Sequence, residues 1–163
     1  MAKKMVSVVF FSLFFIFSSI AAREIKKDFH KSFDVGEGAV LILHHGDGDV
    51  TVLPWDKDVI DVTVRYRLEY KSIGIGNRHD FDVEFRQNGE KVYVIGKERG
   101  SGISIGVQYS RRYEYTYKIR APKYVELEFT GDDGDVEIDD RQGNIFLTLD
   151  DGNVDLSNIA ADK

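Results

Sequence analysis

Apolar and polar residues alternate with a period of two along most of the chain after residue 28, and this pattern predicts β-strands. The alternation is clearest over residues 61–70, where one face carries Val62, Val64, Tyr66, Leu68 and Tyr70. Further strands are predicted at residues 29–35, 39–43, 81–86, 91–97, 113–120 and 125–129. No helical stripe follows residue 28, so the expected fold class is all-β.

A regular nine-residue repeat occupies residues 125–159. Gly134, Gly143 and Gly152 each begin a unit, and an Asp or Asn follows each glycine. Apolar residues stand two and four positions after each glycine, and one frame upstream: Leu127, Phe129, Val136, Ile138, Ile145, Leu147, Val154 and Leu156. Residues two apart in a strand share a face, so these side chains are expected to form one buried column. Phe146 is expected to face outward.

Two strand arrangements satisfy this spacing. Two units would make a flattened coil of 18 residues with two facing sheets, and the sequence at residues 132–136 does recur at 150–154. Residues 46–52 look like an earlier copy of the same unit. However, Asp151-Gly152 is also a good hairpin turn, so an antiparallel β-sandwich or meander is the alternative.

Two segments rich in glycine and serine, residues 71–77 and 98–106, are predicted to be mobile loops. A ligand-binding loop is expected there if the chain has one, although a plain connection is the simpler interpretation. Asn88-Gly89 is predicted to form a tight turn between two strands.

Residues 1–22 are predicted to be a secretory signal peptide, because two lysines precede an apolar run and small residues follow it. The run is about 16 residues long, which is short of the ~20 that span a bilayer. A transmembrane anchor is therefore the weaker interpretation, and no stable membrane insertion is expected after cleavage. Residues 23–163 are expected to form a single all-β domain of ordinary size.

Composition restricts the function further. The chain has no cysteine, whereas small secreted animal domains usually carry disulfides, so a bacterial envelope protein is favoured. The net charge is -6, and residues 131–163 contain ten acidic residues against two basic ones. An acidic surface repels phosphate, so nucleic acid is not expected as a partner.

A calcium-stabilised β-roll is the sharpest alternative chemistry. Its nine-residue pattern requires Asp two positions after the glycine, where this chain has Val136, Ile145 and Val154. The acidic pairs at residues 132–133, 139–140 and 150–151 are therefore interpreted as solvated corners.

No catalytic, cofactor-binding or metal-binding residue is predicted, and an enzyme is not expected. His44 and His45 are adjacent and so point to opposite faces of a strand, where they cannot readily share a metal with each other. The other candidates are His30 and His79, and Ser101, Ser104 and Ser110, which lack a G-x-S-x-G context. Hydrolysis of a polysaccharide by paired carboxylates stays an alternative in so acidic a chain.

One segment combines aromatic and cationic residues: Tyr109, Arg111, Arg112, Tyr113, Tyr115 and Tyr117. Sugars and protein partners both favour such surfaces. The strict alternation of the last three tyrosines favours the other interpretation, in which they form the buried face of a long strand.

Several motifs follow one another in a recognisable order. These are Phe33-Asp34-Val35, Gly48-Asp49-Val50-Thr51-Val52, Trp55-Asp56-Lys57-Asp58-Val59, Tyr117-Lys118-Ile119-Arg120-Ala121-Pro122 and the later glycine units. The order resembles the bacterial DUF4097 family of adhesin-like proteins over most of residues 23–163. The resemblance implies an exported protein with a right-handed parallel β-helix-like or β-roll stack, and it supplies no catalytic residues.

We therefore expect an exported protein of the cell envelope, periplasmic, on the cell surface or secreted, with an adhesin-like or scaffold role and no catalysis. The expected partner is a protein or glycan of the envelope. The last repeat would expose a strand edge, so self-association through the C-terminal repeat is also expected. The alternatives are a polysaccharide-active β-helix enzyme and a calcium-stabilised β-roll.

Overall fold

The computed structural model describes the backbone of residues 22–75, 78–101 and 105–160, and the side chains of residues 24–70, 80–98 and 112–160. Over these ranges the chain forms eleven strands: β1 (Ala22–Asp34), β2 (Val40–His44), β3 (Asp49–Pro54), β4 (Val59–Ile75), β5 (Arg78–Asn88), β6 (Lys91–Ser101), β7 (Ile105–Ala121), β8 (Glu126–Gly131), β9 (Val136–Arg141), β10 (Ile145–Leu149) and β11 (Val154–Ile159). The all-β prediction is confirmed. No helix that could cross a membrane occurs in the described part of the chain. The apolar run of the predicted signal peptide lies outside it.

The strands form two open sheets of mixed direction. One has the order β1-β4-β7-β3-β9-β11, and the other has the order β10-β8-β2-β6-β5. The long strands β1, β4 and β7 pair antiparallel, as do β5 and β6, whereas the remaining ladders are parallel. The described residues therefore form two facing mixed sheets around one core, not a uniform parallel stack.

The nine-residue units pair in parallel and alternate between the two sheets. Ile145 lies beside Leu127 in the β8–β10 ladder, and Val154 lies beside Val136 in the β9–β11 ladder, so partners are 18 residues apart. Val136 also pairs with Val50 on its other side, so β3 continues the β9–β11 ladder. Residues 46–52, the predicted earlier copy of the unit, therefore belong to the repeat. The ladders between these units are therefore parallel and have the 18-residue period that the spacing predicts, whereas a meander would pair them antiparallel.

The predicted apolar column is buried at one end and open at the other. Its first members are fully buried: Leu127, Phe129, Val136 and Ile138. Ile145 and Leu147 are half-buried, while Val154 and Leu156 are each 46% exposed. Phe146 faces outward as predicted and is 56% exposed. The column ends this way because β10 and β11 are the edge strands of their sheets.

Two of the repeat glycines turn the chain as predicted, and the third acts differently. Gly134 has a φ of 135° and Gly152 a φ of 116°, a region that side chains rarely adopt. A Cβ on Gly134 would also lie 2.4 Å from the Gly48 carbonyl oxygen of the neighbouring coil. Gly143 lies outside the left-handed region, but its Cβ would come within 2.5 Å of the Val125 carbonyl oxygen. Close stacking of coils therefore requires glycine there.

The prediction that residues 71–77 and 98–106 form loops is wrong for most of these residues. β4 continues to Ile75 and pairs there with Ile105 of β7, after a register shift between Lys71 and Ser72. β6 likewise continues to Ser101, opposite Arg78 of β5. Ladder hydrogen bonds use the backbone, which glycine and serine supply as other residues do, so these strand ends need no apolar alternation. Residues 76–77 and 102–104 lie outside the described residues.

Candidate functional site

A groove with aromatic walls opens where the β3–β4 and β7–β8 connections meet. Its lining residues are Pro54, Trp55, Asp56, Asp58, Pro122, Lys123 and Tyr124. Proline lacks the N–H that a ladder needs, so Pro54 and Pro122 help to end β3 and β7 at this point. The Trp55 amide donates a hydrogen bond of 3.3 Å to the Ala121 carbonyl. This bond joins the start of the β3–β4 connection to the end of β7.

Trp55 is the sole tryptophan of the chain, and its ring is held from several sides. Its Nε1 donates to the Val59 carbonyl at 2.6 Å. The Lys57 ammonium lies 5.1 Å from the ring centroid, and the Arg120 guanidinium lies 5.0 Å from it. Cation–π attraction at these distances stabilises the half-buried indole and places two positive charges beside the groove.

Tyr124 is the second aromatic residue of the groove. Its hydroxyl donates to the Asp58 carboxylate at 3.0 Å. Burial and this hydrogen bond raise the pKa of Tyr124, so the hydroxyl keeps its proton at neutral pH. Asp56 adds a second carboxylate to the lining, and the Lys123 ammonium pairs with Asp140. The groove thus combines ring faces with a few convergent polar groups, as small-ligand sites commonly do.

A buried arginine supports the groove from behind. Arg141 is fully buried, and its two terminal nitrogens donate to the Ala121 carbonyl at 2.8 Å and to the Pro122 carbonyl at 2.9 Å. Burial lowers the pKa of Arg141, while Asp140 and Asp139 oppose this effect. The guanidinium stays charged because its ordinary pKa is so high. Arg141 therefore anchors the β7–β8 connection to β9.

A buried carboxylate on the outer face of the six-stranded sheet adjoins the groove. Asp61 is 7% exposed and accepts hydrogen bonds from His30 and Ser32 at 2.8 Å and from Arg120 at 3.1 Å. Burial alone would raise the pKa of Asp61, but these hydrogen bonds outweigh it and hold the pKa below its usual range. Ser32 donates to Asp61 and not to His30, so the serine–histidine bond of a hydrolytic triad is not formed here. Asp61 instead orients Arg120 toward Trp55.

A second cavity lies among acidic side chains. It is lined by Gly46, Asp47, Phe81, Gly96, Glu98, Tyr115 and Asp132. Burial raises the pKa of Asp47, and the carboxylates of Glu98, Asp133 and Asp132 raise it further. The Tyr115 hydroxyl donates to Glu98. Within the described side chains, no group of three or more His, Cys, Asp or Glu residues is arranged to hold a metal ion.

The paired histidines lie on opposite faces, as predicted: His44 is exposed and His45 is buried. The His45 ring packs on Tyr117 with 5.6 Å between centroids. Among the described residues, none forms a hydrogen bond of ordinary geometry with either ring nitrogen of His45 or with the Tyr117 hydroxyl. Burial lowers the pKa of His45, although the Gly46 carbonyl and Asp132 oppose the shift, so the ring is uncharged at neutral pH. His45 therefore belongs to the core.

The predicted aromatic segment is mostly internal. Tyr115 and Tyr117 are buried and Tyr113 is half-buried, which confirms the buried-face interpretation. Arg112 is exposed. The remaining candidate side chains lie outside the described residues: His79, Ser101, Ser104, Tyr109, Ser110 and Arg111.

Sequence reasoning did not single out Trp55, Tyr124, Asp61 or Arg141 as site residues. An isolated tryptophan directly after a strand-ending proline was the one available signal. No local signal marks the others, because their partners are distant in sequence. The Tyr124 hydroxyl, for example, meets a carboxylate 66 residues away.

Comparisons with known proteins do not establish a family. No family model matches the chain, and no curated protein matches it. Among solved structures, the chain is similar to a "putative cell adhesion protein" from Clostridium sporogenes ATCC 15579, with 14% identity and a TM-score of 0.45. The alignment covers 82% of this chain and 62% of the other, so the chain spans less than two thirds of that protein's length. The resemblance to DUF4097 stays a prediction.

Proposed function

We propose that this chain is an exported, non-catalytic binding protein of the cell envelope, and that the Trp55–Tyr124 groove is its ligand site. The observation that carries the proposal is the fixed pair of aromatic side chains beside two carboxylates. The Trp55 side chain is already held by a carbonyl and two cations, so it loses little conformational entropy when a ligand packs on it. We also propose that the parallel units belong to a right-handed β-helix-like stack, as the DUF4097 resemblance implies.

The ligand that best fits this groove is a glycan. A sugar ring presents an apolar C–H face together with hydroxyl donors. Trp55 and Tyr124 supply apolar surface, while Asp56 and Asp58 supply acceptors for hydroxyls.

Calorimetric titration with soluble oligosaccharides tests this assignment. The panel should include β-1,4-linked N-acetylhexosamine, glucose, mannose and galactose oligomers. For any oligomer that binds, Trp55→Ala is expected to weaken affinity by about 10- to 100-fold, since truncating one buried aromatic contact costs roughly 1.4–2.8 kcal/mol. Tyr124→Phe keeps the ring and removes the hydroxyl, so a smaller loss is expected.

Phe146→Ala is the matched control for these substitutions. It also removes an exposed aromatic ring, but from β10 and not from the groove. Its affinity should equal that of the unmodified protein. The proposal fails if no oligomer or envelope protein binds, or if Phe146→Ala weakens binding as much as Trp55→Ala does.

A polysaccharide-active enzyme is the second candidate function, because Asp56, Asp58 and Lys123 line one groove. Glycoside hydrolysis generally uses two carboxyl groups beside the scissile bond. Release of reducing ends from the same oligosaccharides, abolished by Asp58→Asn, would favour this enzyme. Binding without turnover would favour the non-catalytic role.

A further inference from the structure

The end of the molecule formed by β10 and β11 has the features of a contact surface. Both strands are edges of their sheets, one in each sheet. Val154 and Leu156, which belong to the buried column by position, are each 46% exposed there, and Ile159 is 37% exposed. We call this surface, made of residues 145–149 and 154–159, the open end.

The described strands of the open end carry little of the charge that usually protects free strand edges, and their one backbone irregularity is the positive φ of 54° at Asn158 in β11. Natural edges are usually guarded by charged side chains, prolines or bulges. β10 contains no charged residue and β11 contains one, Asp155. By contrast, β9, which is covered by β11, contains four charged residues in six positions. The acidity of residues 131–163 therefore lies at the corners and on the covered strand, not along the open edges.

In the last coil the residue directly after the corner glycine, Asn153, is neutral, whereas earlier coils have an aspartate at that position; Asp150 and Asp151 keep the corner itself acidic. Asp49 accepts a hydrogen bond from the amide of Asp135, and Asp135 accepts two from Asn153, at 2.9 Å each. This row of corner side chains thus ends at Asn153, whose amide group can both donate and accept hydrogen bonds. The other corner has Asn144, which donates to Glu126 of the coil beneath. Two such amides can face each other without the repulsion of two carboxylates.

The open end needs a partner that engages two edges at once. A single extended peptide would cover β10 or β11 but leave the other edge bare. A second copy of this chain presents the same two strands with the same separation between sheets. A two-fold axis perpendicular to the sheets would place each edge strand antiparallel to its own counterpart and extend both sheets.

We propose that the open end binds the open end of a second copy of this chain, forming a two-fold dimer with β11 antiparallel to β11. A register centred on Leu156 buries the exposed ends of both columns. It also places Asp155 opposite Ser157 of the partner subunit, which avoids a like-charge pair. This surface is separate from the groove, so the dimer does not depend on the proposed ligand.

Sedimentation velocity of the purified protein over a range from about 1 µM to 1 mM tests the proposal. A reversible dimer is expected. Leu156→Asp should raise its dissociation constant by about 100-fold or more, because it places two charges in the new apolar contact. Leu53→Asp is the matched control: Leu53 is 44% exposed but lies on β3, which is two strands from β11 in the sheet order and has β7 and β9 as its neighbours. Its dissociation constant should not change.

Hydrogen exchange of the unmodified protein keeps the test valid if a variant folds poorly. β11 amides should exchange more slowly as protein concentration rises, while the β3 amides should not respond. The proposal is overturned by a monomer at every concentration, or by a dimer that Leu53→Asp weakens as much as Leu156→Asp does. Protection of β11 that is independent of concentration also overturns it, because the chain would then cover its own edge.

Discussion

Replacing Arg141 by methionine should destabilise the protein and loosen the groove. The substitution keeps a long apolar stem but removes the guanidinium that bonds the Ala121 and Pro122 carbonyls. Because these carbonyls belong to the last residue of β7 and the first residue of the β7–β8 connection, the loss is expected to fall first on the segment that carries Tyr124. The effect should therefore appear in both stability and ligand affinity.

The expected magnitude follows from these two bonds. Hydrogen bonds to a charged group contribute about 1.5–3 kcal/mol each, so two represent about 3–6 kcal/mol. Removing the buried charge also removes its desolvation penalty, and this offsets part of the free energy lost with the two hydrogen bonds. A net loss of about 2–4 kcal/mol is expected for Arg141→Met, a large share of the roughly 5–15 kcal/mol of a typical domain. Arg141→Lys keeps a buried charge but lacks the planar guanidinium that bonds both carbonyls, so it should be no more stable than Arg141→Met.

Urea unfolding, followed by far-ultraviolet circular dichroism and by Trp55 fluorescence, measures this loss. The midpoint should fall while the m-value stays unchanged. Arg86→Met is the matched control, because Arg86 is exposed and stacks on Tyr93 at 4.5 Å. An exposed cation–π contact contributes about 0.5–1 kcal/mol, so its midpoint should move little. The reasoning is refuted if Arg141→Met and Arg86→Met have the same stability.

Three further predictions concern other parts of the fold. Asp61→Asn should make the free energy of unfolding less dependent on pH under acidic conditions. The pKa of Asp61 is lower in the folded state than its ordinary value of 3.8, so its carboxylate stabilises the fold above pH 3.8, and this stabilisation is lost as the pH falls through the folded-state pKa. Urea unfolding at a series of pH values measures the difference. Gly134→Ala should cost about 2–5 kcal/mol through its clash and its positive φ, whereas Gly38→Ala, with a φ of 82° and nothing within 4 Å, should cost about 1–2; equal midpoints would contradict the stacking argument. Inserting a second copy of residues 142–159 after residue 159 should raise the free energy of unfolding by about 1–3 kcal/mol by covering the column, and an unchanged value would show that the added coil does not stack.

The sequence predicted the repeat better than the site, for a physical reason. Alternation and glycine spacing depend on neighbours within a few residues, so strands and the 18-residue register could be read from Val136, Val154 and the glycines. The spacing left coil and meander open, because the direction of a ladder depends on which distant strand is adjacent. Backbone pairing beyond Lys71 was missed since it needs no apolar pattern.

The site escaped prediction because it is assembled from distant segments. Asp61 carries no mark in sequence, yet it meets side chains from β1 and β7. Arg141 entered the sequence argument as one of two basic charges in an acidic segment, whereas the structure buries it against carbonyls. Polar groups like these gain their roles from tertiary contacts, and single-sequence patterns do not contain them.

The most direct test of the proposed ligand site is a fluorescence titration of the unmodified protein. Trp55 is the sole tryptophan, so its emission reports on the groove alone. Addition of an oligosaccharide that binds by calorimetry should shift or quench the emission along a saturable curve, with the same dissociation constant as the calorimetric one. Binding that saturates in the calorimeter while the Trp55 emission stays constant would contradict the proposed site.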